Sequence, residues 1–469
     1  MQDMLDILNR AVNEWQPEDR PVSRPVPAVE LSNLVDVSLQ HEGSNLESLE
    51  QAVKDYLYYS PAVYKSDFNK LLYSGQNEPA LLGDWVTAMA NANMHTYQMA
   101  PVATLMELEL IRQWNQLIGF DQSPTGGGGI MVSGGSQANL IGLLLARHKA
   151  CPDYKAKGAQ GRTLVAYVSN QAHYSAEKAM HVLGLGTDNL VKVASDTEGR
   201  LCPDALQTAI QQTLAAGHTP FYIGLTAGTT VVGAFDPVKA CSDIAKAHNL
   251  WLHIDGAWGG PVLFSAQHKA LLADSQLADS FTWDAHKLMN VPITAAAILV
   301  KDANALKDCC SGGGGEYLFH ADQNTSYNLG EGSIQCGRRA DALKVWLSWK
   351  AVGNKGFATK IDHLQALKSH CVNRIKQHSD LQMLAPSVYL NVLFQYQPEG
   401  IIDQKELRRI NVGICKAMQE AGSTFTDHAQ YQGRTGMRLI IANEGISKTQ
   451  LDALLDEISR HGKLLTKEI

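Results

Sequence analysis

The sequence predicts an α/β protein with a mostly parallel sheet in a large domain, followed by a small C-terminal α+β domain. From about residue 126, short apolar runs of strand length alternate with helical patterns, and six or seven such runs occur before residue 301. Beyond them lie a long helical pattern at 341–379 and two isolated strand candidates. Strands that alternate with helices at this spacing are typical of βαβ units, which build a parallel sheet covered on both faces.

The predicted elements divide the chain into three regions. Residues 1–105 form an N-terminal helical segment and dimerisation arm, whose first 20 residues carry apolar side chains near a 3.6-residue period. Residues 106–352 form the large α/β domain, with strand candidates at 130–132, 163–169, 189–194, 220–227, 251–255, 279–283 and 295–300. Residues 353–469 form the small α+β domain, with strand candidates at 388–396 and 437–441 and a last helix at 448–461.

Composition and charge limit the functions that the chain can serve. Of its 469 residues 45% are hydrophobic and 19% charged, as is usual for a globular protein, and the formal net charge of −7 favours neither nucleic acid nor an anionic membrane. The eight cysteines show no metal-ligand spacing, and the N-terminus lacks the basic start and apolar stretch of a signal peptide. No apolar run approaches the length of a membrane span. We therefore expect a cytoplasmic protein with reduced thiols and no metal.

The residues that carry chemistry fall at the ends of two successive strand candidates. Asp255 ends one of them, and the pair His286-Lys287 comes shortly after the next. A lysine amine can hold the aldehyde of pyridoxal phosphate (PLP) covalently, and a carboxylate can keep the pyridine nitrogen of that cofactor protonated. Taken singly, Lys287 could be a surface lysine and Asp255 a turn cap. Their joint position in an α/β core predicts a PLP enzyme of amino-acid chemistry.

A glycine-containing turn supplies a candidate phosphate site. Residues 133–139 lie between a strand candidate and a helical run, so that free N–H groups at the helix start can face an anion. Ser136 and Gln137 belong to this turn, although such turns are purely structural about as often. His173 and Thr226 also follow strand candidates. His173 can stack on the pyridine ring or be an ordinary histidine, and Thr226 can hydrogen-bond a ring substituent or form a turn.

Several motifs in order resemble the group II PLP-dependent amino-acid decarboxylases, in particular the branch with the glutamate and cysteine sulfinate decarboxylases. The matching stretches are 91–101 (NANMHTYQMAP), 226–237 (TAGTTVVGAFDP), 255–260 (DGAWGG), 286–287 (HK) and 333–338 (SIQCGR). The resemblance runs from about residue 50 to the C-terminus. It implies PLP fold type I, the aspartate aminotransferase-like architecture, and a homodimer with a shared active site.

The resemblance also implies how the cofactor is held. Lys287 binds its aldehyde, and Asp255 pairs with the ring nitrogen. His173 stacks on one face of the ring, and Ala257 packs on the other. The residues implied to contact the phosphate are Ser136, Gln137 and His286, and with Thr226 they complete the predicted cofactor site.

A tyrosine is implied to complete the reaction. Tyr317 lies in a stretch that resembles a mobile loop reaching the site across a dimer interface, where it protonates the α-carbon after carbon dioxide leaves. The four glycines at 312–315 suit a loop that opens and closes. Simple packing of an aromatic side chain is the alternative. The predicted catalytic residues are thus Lys287, Asp255, His173 and Tyr317.

Four residues are predicted to bind the substrate: Arg438, Lys70, Asn93 and His95. In the resembled branch an arginine near the C-terminus binds the acidic side chain of the substrate, and Arg438 matches it, with a surface ion pair as the alternative. Lys70 replaces a glutamine of that branch and either strengthens an anion site or shortens it. His95 replaces an aromatic residue.

Two further departures lie close to the cofactor residues. Asp284-Ala285 precedes His286 where the animal enzymes carry asparagine and proline, and Gly256 replaces an alanine. These departures leave the predicted cofactor residues intact and bear on the choice of substrate.

Together the observations predict a PLP-dependent α-decarboxylase of a small acidic L-amino acid, with glutamate, cysteine sulfinate and aspartate as candidates. A decarboxylase of 2,4-diaminobutyrate or of an aromatic amino acid is one alternative. A PLP transaminase or lyase is another, which would use Lys287 and Asp255 but give Tyr317 no role. An inactive homologue that serves as a binding or scaffold subunit is the third, and the intact catalytic residues argue against it.

Overall fold

The computed structural model describes residues 2–15, 19–312, 319 and 323–467. Its helices are α1 (Gln2–Trp15), α2 (Ala28–Leu34), α3 (Leu46–Tyr59), α4 (Glu78–Ala90), α5 (Pro101–Ile118), α6 (Gly135–Ala150), α7 (Tyr154–Lys157), α8 (Ser175–Val182), α9 (Pro203–Ala215), α10 (Val238–Ala247), α11 (Ala305–Cys310), α12 (Ala342–Gln377), α13 (Gln404–Glu420) and α14 (Lys448–Lys467). Its strands are β1 (Gly128–Val132), β2 (Leu164–Ser169), β3 (Leu190–Val193), β4 (Thr219–Thr226), β5 (Trp251–Asp255), β6 (Ser280–Asp284), β7 (Ala296–Val300), β8 (Leu381–Met383), β9 (Asn391–Tyr396), β10 (Asp427–Tyr431) and β11 (Arg434–Ile440).

The chain divides into two compact units. The large unit consists of residues 76–369 and 385–391, and the small unit consists of residues 1–75, 370–384 and 392–469. The three-region division with boundaries after residues 105 and 352 remains a prediction.

The large unit contains a seven-stranded, mostly parallel sheet. Its strand order is β1-β7-β6-β5-β4-β2-β3, and only β7 runs against its neighbours β1 and β6. β2, β6 and β7 are buried along their whole length, so both faces of these strands are covered. Because the other six strands point the same way, their carboxyl ends meet at one edge of the sheet.

Helix α6 packs closely on β5 and β6 because it carries glycines where it meets them. A Cβ at Gly142 would lie 2.8 Å from Nδ1 of His253, and a Cβ at Gly135 would lie 2.7 Å from Oδ2 of Asp284. The two glycines are seven residues apart and therefore share one face of the helix. The N-terminus of α6 is thereby held at the carboxyl edge of the sheet.

The small unit contains a four-stranded sheet of order β10-β11-β9-β8, with antiparallel pairs β10–β11 and β8–β9. Asp403 caps α13 by accepting from the N–H groups of Lys405 and Glu406. The helix buries Leu407 and Ile410 on its apolar side. The prediction of an α/β fold with a large mostly parallel sheet and a small C-terminal sheet domain is confirmed. α13, β8 and β10 were absent from the predicted elements.

Within the described ranges, no helix combines the length and the apolar character needed to cross a bilayer. All eight cysteines are free thiols. Five of them are buried, at 151, 241, 309, 371 and 415, as expected for small apolar side chains.

Candidate active site

The predicted site residues of the large unit gather at the carboxyl edge of its sheet. Asp255 ends β5, and its register partner Thr226 ends β4. Asp284 ends β6, and the turn that follows carries His286 and Lys287. Side chains at the carboxyl ends of neighbouring parallel strands line a common crevice, which is where α/β proteins bind their ligands.

Asp255 is half-buried and is held by two donors. Its Oδ2 accepts from Nδ2 of Asn139 at 2.7 Å, and its Oδ1 accepts from the N–H of Ala257 at 3.1 Å. No cationic nitrogen of the described chain lies within 4.0 Å of this carboxylate. Since each carboxylate oxygen can accept more than one hydrogen bond, Asp255 retains acceptor capacity for a protonated ring nitrogen.

The amine of Lys287 lies beside a different acid. Its Nζ is 3.4 Å from Oδ2 of Asp284, and Nε2 of His286 is 3.6 Å from the same oxygen. Asp284 is only 2% exposed, and its Oδ1 has no hydrogen-bond partner within the described chain. The side chain of Lys287 is 22% exposed, so its amine can be reached from the crevice. The departure at Asp284 therefore gives the lysine an ion-pair partner.

His173 lies in the turn after β2 and is half-buried. Its Nδ1 accepts from the N–H of Ser175 at 3.2 Å, which fixes the ring orientation. Burial lowers the pKa of His173, while the nearby charge of Asp255 raises it and that of Lys287 lowers it. A neutral imidazole held near these two charges suits stacking on a pyridine ring.

The start of α6 has the features of an anion site. Gln137 is folded back so that its Oε1 accepts from N and Oγ of Ser133, at 2.8 and 2.6 Å, while Ser136 is exposed. The first turn carries no acidic side chain, and the last turn carries Arg147, His148 and Lys149. The free N–H groups and the helix dipole therefore favour a phosphate at this end.

Thr226 is pinned at the end of β4 by a buried acid. Its N–H donates to Oδ2 of Asp236 at 2.7 Å, and Oδ1 of Asp236 accepts from the N–H of Leu201 at the same distance. Burial raises the pKa of Asp236 to about 7 in spite of these two bonds. Asp236 therefore holds the strand end, and Thr226 with it, in place beside Asp255.

Asn93 and His95 lie near a buried ion pair in the large unit. Asn93 accepts through Oδ1 from the N–H of Arg338 at 3.0 Å. The guanidinium of Arg338 pairs with Glu107 and donates to the carbonyls of Met94 and Met131, at 3.1 and 3.2 Å. The motif that ends in Arg338 thus anchors the segment that carries Asn93 and His95.

The other two predicted substrate residues lie in the small unit. Nη2 of Arg438 donates to the carbonyl of Lys70 at 2.7 Å, and Nζ of Lys70 lies 3.8 Å from Oδ2 of Asp427. Nζ of Lys70 also lies 4.8 Å from the ring centre of Phe425. Burial lowers the pKa of Arg438, partly offset by Asp427. Lys70 and Arg438 therefore form one cationic cluster, partly neutralised by an acid.

The sequence did not identify Asn139 and His253 as site residues, although Asn139 contacts Asp255 and His253 lies behind it. His253 precedes Asp255 by two positions on one strand, so their side chains face the same side, which is a signal that the sequence carries. Asn139 is visible only once α6 is placed on β5. Tyr317 lies outside the described residues, and its catalytic role remains a prediction.

The residues present fit PLP. Among the described residues Asp255 offers an acceptor without a cationic partner, and Lys287 offers a reachable amine. The first turn of α6 offers N–H groups and carries no acidic side chain of its own. Because Gly135 has no Cβ, the helix start can lie close to Asp284 and the lysine; a Cβ there would come within 2.7 Å of Oδ2 of Asp284. Between them these groups supply an amine, a carboxylate and an anion site at one edge of the sheet.

Comparison with known proteins defines the class. Residues 28–397 match the family model described as the pyridoxal-dependent decarboxylase conserved domain. The chain therefore belongs to the pyridoxal-dependent decarboxylase family, and its cofactor is pyridoxal phosphate.

Within that family the chain is similar to proteins of one branch. It is 34% identical over 467 residues to the acidic amino acid decarboxylase GADL1 of Bos taurus, covering 97% of this chain and 87% of the relative. It is 35% identical over 445 residues to the cysteine sulfinic acid decarboxylase of Rattus norvegicus, covering 92% and 90%. The crystal structure of mouse CSAD superposes with a TM-score of 0.91 at 33% identity, over 98% of this chain and 97% of that one. The predicted family branch, fold type I architecture and enzyme class are confirmed.

The fold extends to more distant enzymes. The crystal structure of Oryza sativa TDC with PLP and tryptamine superposes with a TM-score of 0.92, over 99% of this chain and 98% of that one. Its sequence is 21% identical, so the likeness is one of fold alone.

Proposed function

We propose that this protein removes the α-carboxylate of a small acidic L-amino acid as carbon dioxide and releases the corresponding amine. Glutamate, cysteine sulfinate and aspartate are the candidate substrates. The observation that carries the proposal is the meeting of Asp255 and Lys287 at one edge of the sheet, in a chain of the pyridoxal-dependent decarboxylase family. When bound, the cofactor supplies an electron-accepting ring for the electron pair left by the departing carboxylate.

Each residue of the site has a task in this proposal. The amine of Lys287 holds the cofactor until substrate arrives, and Asp255 holds a proton at the ring nitrogen. His173 and Ala257 pack on the two ring faces and exclude water. Tyr317 delivers a proton to the α-carbon. The phosphate and ring substituent are bound by Ser136, Gln137, His286 and Thr226.

The acidic side chain of the substrate is assigned to Arg438 and Lys70, with Asn93 and His95 completing the substrate site. A guanidinium binds a carboxylate or sulfinate through two parallel hydrogen bonds, which favours acidic substrates. The printed names of two relatives, acidic amino acid decarboxylase and cysteine sulfinic acid decarboxylase, support the same class. Asp427 reduces the net positive charge of the cluster, which suits a single acidic group.

A substrate panel tests the proposal. The purified holoenzyme is given glutamate, cysteine sulfinate, aspartate, 2,4-diaminobutyrate and tyrosine in turn, and carbon dioxide and amine are measured. We expect carbon dioxide and amine from at least one of the three acidic substrates. We expect neither product from 2,4-diaminobutyrate or tyrosine. Turnover of diaminobutyrate or tyrosine without any acidic substrate would refute the substrate class. A keto acid in place of carbon dioxide and amine would indicate a transaminase, and a protein that stays colourless with PLP would indicate a scaffold role.

Borohydride reduction followed by peptide mapping tests the anchor. We expect the reduced cofactor on Lys287 in the wild-type protein and no labelled peptide in Lys287→Ala. If the protein is active but the reduced cofactor is found on another lysine, the assignment of Lys287 would be overturned.

The proposal includes a homodimer whose two subunits share each site. If Tyr317 of one subunit serves Lys287 of the other, mixed dimers of Lys287→Ala and Tyr317→Phe contain one site with both residues intact. Refolding the two inactive variants together should then restore activity, whereas each refolded alone should remain inactive. Tyr327→Phe serves as the matched control for Tyr317→Phe, because Tyr327 is an exposed tyrosine ten residues further along the chain to which no catalytic role is assigned. No recovery on mixing, with dimers present by light scattering, would place both residues in one subunit.

A cytoplasmic location completes the proposal, supported by the sequence composition and by the free thiols of all eight cysteines. Cell fractionation tests it. Recovery of the protein in a secreted or membrane fraction would contradict it.

A further inference from the structure

A stripe of polar side chains crosses the buried face of β5 and β6 behind Asp255. Side chains two residues apart on a strand face the same side, so His253 accompanies Asp255 on β5, and Ser280 accompanies Thr282 on β6. The register pairs His253 with Ser280 and Asp255 with Thr282. His253, Ser280 and Thr282 are at most 1% exposed. Buried polar groups are costly unless they are hydrogen-bonded, so their arrangement requires a physical account.

Five side chains form a continuous chain of hydrogen bonds, which we call the relay: Trp251, Ser280, His253, Asn139 and Asp255. Nε1 of Trp251 donates to Oγ of Ser280 at 2.7 Å, and that oxygen lies 2.8 Å from Nδ1 of His253. Nε2 of His253 lies 3.0 Å from Oδ1 of Asn139. Nδ2 of Asn139 then donates to Oδ2 of Asp255 at 2.7 Å.

The relay has one direction, because both of its ends have a fixed polarity. An indole N–H can only donate, and a carboxylate can only accept. Since Ser280 accepts from Trp251, its own hydroxyl proton is free to bond Nδ1 of His253. Nε2 of His253 then carries the ring proton and donates to the carbonyl of Asn139, so that the amide presents its NH₂ group to Asp255. Burial lowers the pKa of His253 to about 4, and the ring is therefore neutral at neutral pH, with one donor and one acceptor.

Neighbouring groups hold Asn139 in the same orientation. The hydroxyl of Thr282 donates to Oδ1 of Asn139 at 2.7 Å, and Nδ2 donates a second bond to Oγ of Ser175 at 2.9 Å. Gly142 lets α6 approach closely enough, because a Cβ there would lie 2.8 Å from Nδ1 of His253. An amide turned by half a rotation would place its carbonyl against the carboxylate of Asp255 and its NH₂ group against two donors.

We infer that Asn139 is a positioning residue for the cofactor, and that the relay from Trp251 fixes its amide so that Asp255 stays aligned for the ring nitrogen. The inference rests on the proposed function, in which Asp255 binds that nitrogen. Asn139 touches Asp255 and acts through it. Removing the far end of the relay should therefore weaken cofactor binding although Trp251 lies at the opposite end of β5 from Asp255.

Three variants test the inference. Trp251→Phe keeps an aromatic ring but removes the indole donor together with part of the buried indole volume, and Asn139→Ala removes the link to Asp255. Tyr167→Phe is the matched control, because Tyr167 is buried on β2 of the same sheet and donates to Oγ1 of Thr213 at 2.6 Å. PLP affinity is measured by equilibrium dialysis of the cofactor-free proteins. The pH dependence of the visible band is recorded after loading.

We expect the dissociation constant for PLP to rise ~10–100-fold in Asn139→Ala and ~3–10-fold in Trp251→Phe, and to stay within ~2-fold of wild type in Tyr167→Phe. The visible band should shift its pH dependence in the first two variants alone. A Trp251→Phe protein that behaves like Tyr167→Phe would overturn the relay, and wild-type affinity in Asn139→Ala would overturn the positioning role.

Ser280→Ala repeats the test at the second link, because it removes the hydroxyl that accepts from Trp251 and donates to His253. Failure of the proposed function is distinguishable, because it would show in the wild-type protein as an absence of borohydride label on Lys287. If the wild type is labelled there and the relay variants bind PLP like the control, only the further inference fails.

Discussion

Replacing Gly256 with alanine would test the packing directly behind Asp255. The resembled decarboxylases carry an alanine here, yet in this structure a Cβ at Gly256 would lie 2.2 Å from Cε1 and Cζ of Phe281. Ordinary van der Waals contact begins near 3.4 Å, so the overlap is about 1.2 Å. Phe281 is fully buried, with the ring of Trp283 centred 6.1 Å away, and its ring cannot turn out into solvent.

The size of the effect follows from this geometry. Forcing an additional carbon into a well-packed core costs about 1–3 kcal/mol, and the strain falls on the peptide between Asp255 and Ala257. The N–H of Ala257 holds Oδ1 of Asp255, so displacement of that peptide misaligns the carboxylate. At 1.4 kcal/mol per tenfold change, we expect Gly256→Ala to weaken PLP binding by ~5–100-fold. The melting temperature should fall by about 1–3 °C.

The assay combines thermal melting of the cofactor-free protein with equilibrium dialysis of PLP. Gly337→Ala is the matched control, because a Cβ there meets nothing within 4 Å and the residue has no strained backbone angle. Adding Phe281→Leu to Gly256→Ala removes the two overlapping ring atoms and should recover most of the affinity. Wild-type stability and affinity in Gly256→Ala, or no recovery in the double variant, would refute the reasoning.

Three further measurements address other contacts. The pKa of His253 is lowered by burial from 6.5 to about 4, so its contribution to stability is complete above pH 6.5 and is lost as the pH falls to about 4. The melting temperature should therefore drop over that range, and His253→Gln should lack this part of the slope; equal slopes would contradict it. Arg338→Met leaves Glu107 buried without its partner and should cost about 3–5 kcal/mol in chemical denaturation, and adding Glu107→Gln should recover part of the loss. Lys70→Gln should raise KM for the acidic substrate ~3–10-fold with little change in kcat, and an unchanged KM would remove Lys70 from the substrate site.

Much of the large unit could be predicted because its strands are buried on both faces. Near-continuous apolar runs such as β7 are recognisable as buried strands from the sequence alone. Each of the seven predicted strands occurs within a few residues of its expected bounds. β10 was missed because it alternates between exposed and partly buried residues and carries His428 and Gln430, so that its apolar signal is weak. Asp255 and Lys287 could be predicted because an acid and a lysine at successive strand ends indicate a specific chemistry. Their common location follows from the rule that ligands bind at the carboxyl ends of parallel strands.

The contacts around these residues could not be predicted, because they depend on side chains that approach across elements. Nothing in the local sequence of α6 says that Asn139 meets Asp255, since that requires the helix to be placed on β5. The sequence shows that Gly142 is a glycine within a helix, but it does not show why a glycine is needed there. The need comes from the tertiary structure, because a Cβ at this position would lie 2.8 Å from Nδ1 of His253. Strand alternation predicts that the polar residues of β5 share one face. It does not predict the direction of their hydrogen bonds, because the partners lie on other elements.

The structure gives a physical reason for each of the two departures from the family pattern near Asp255 and Lys287. Gly256 departs from alanine in a chain that places Phe281 on the neighbouring strand, where the ring occupies the space of the missing methyl group. Asp284 departs from asparagine in a chain where its carboxylate lies 3.4 Å from Nζ of Lys287, so this departure adds a charge beside the lysine without changing the size of the side chain. The departure at Gly256 is matched in volume by Phe281, which is distant in sequence. Restoring alanine at Gly256 alone should therefore weaken the site, because Phe281 would remain unchanged.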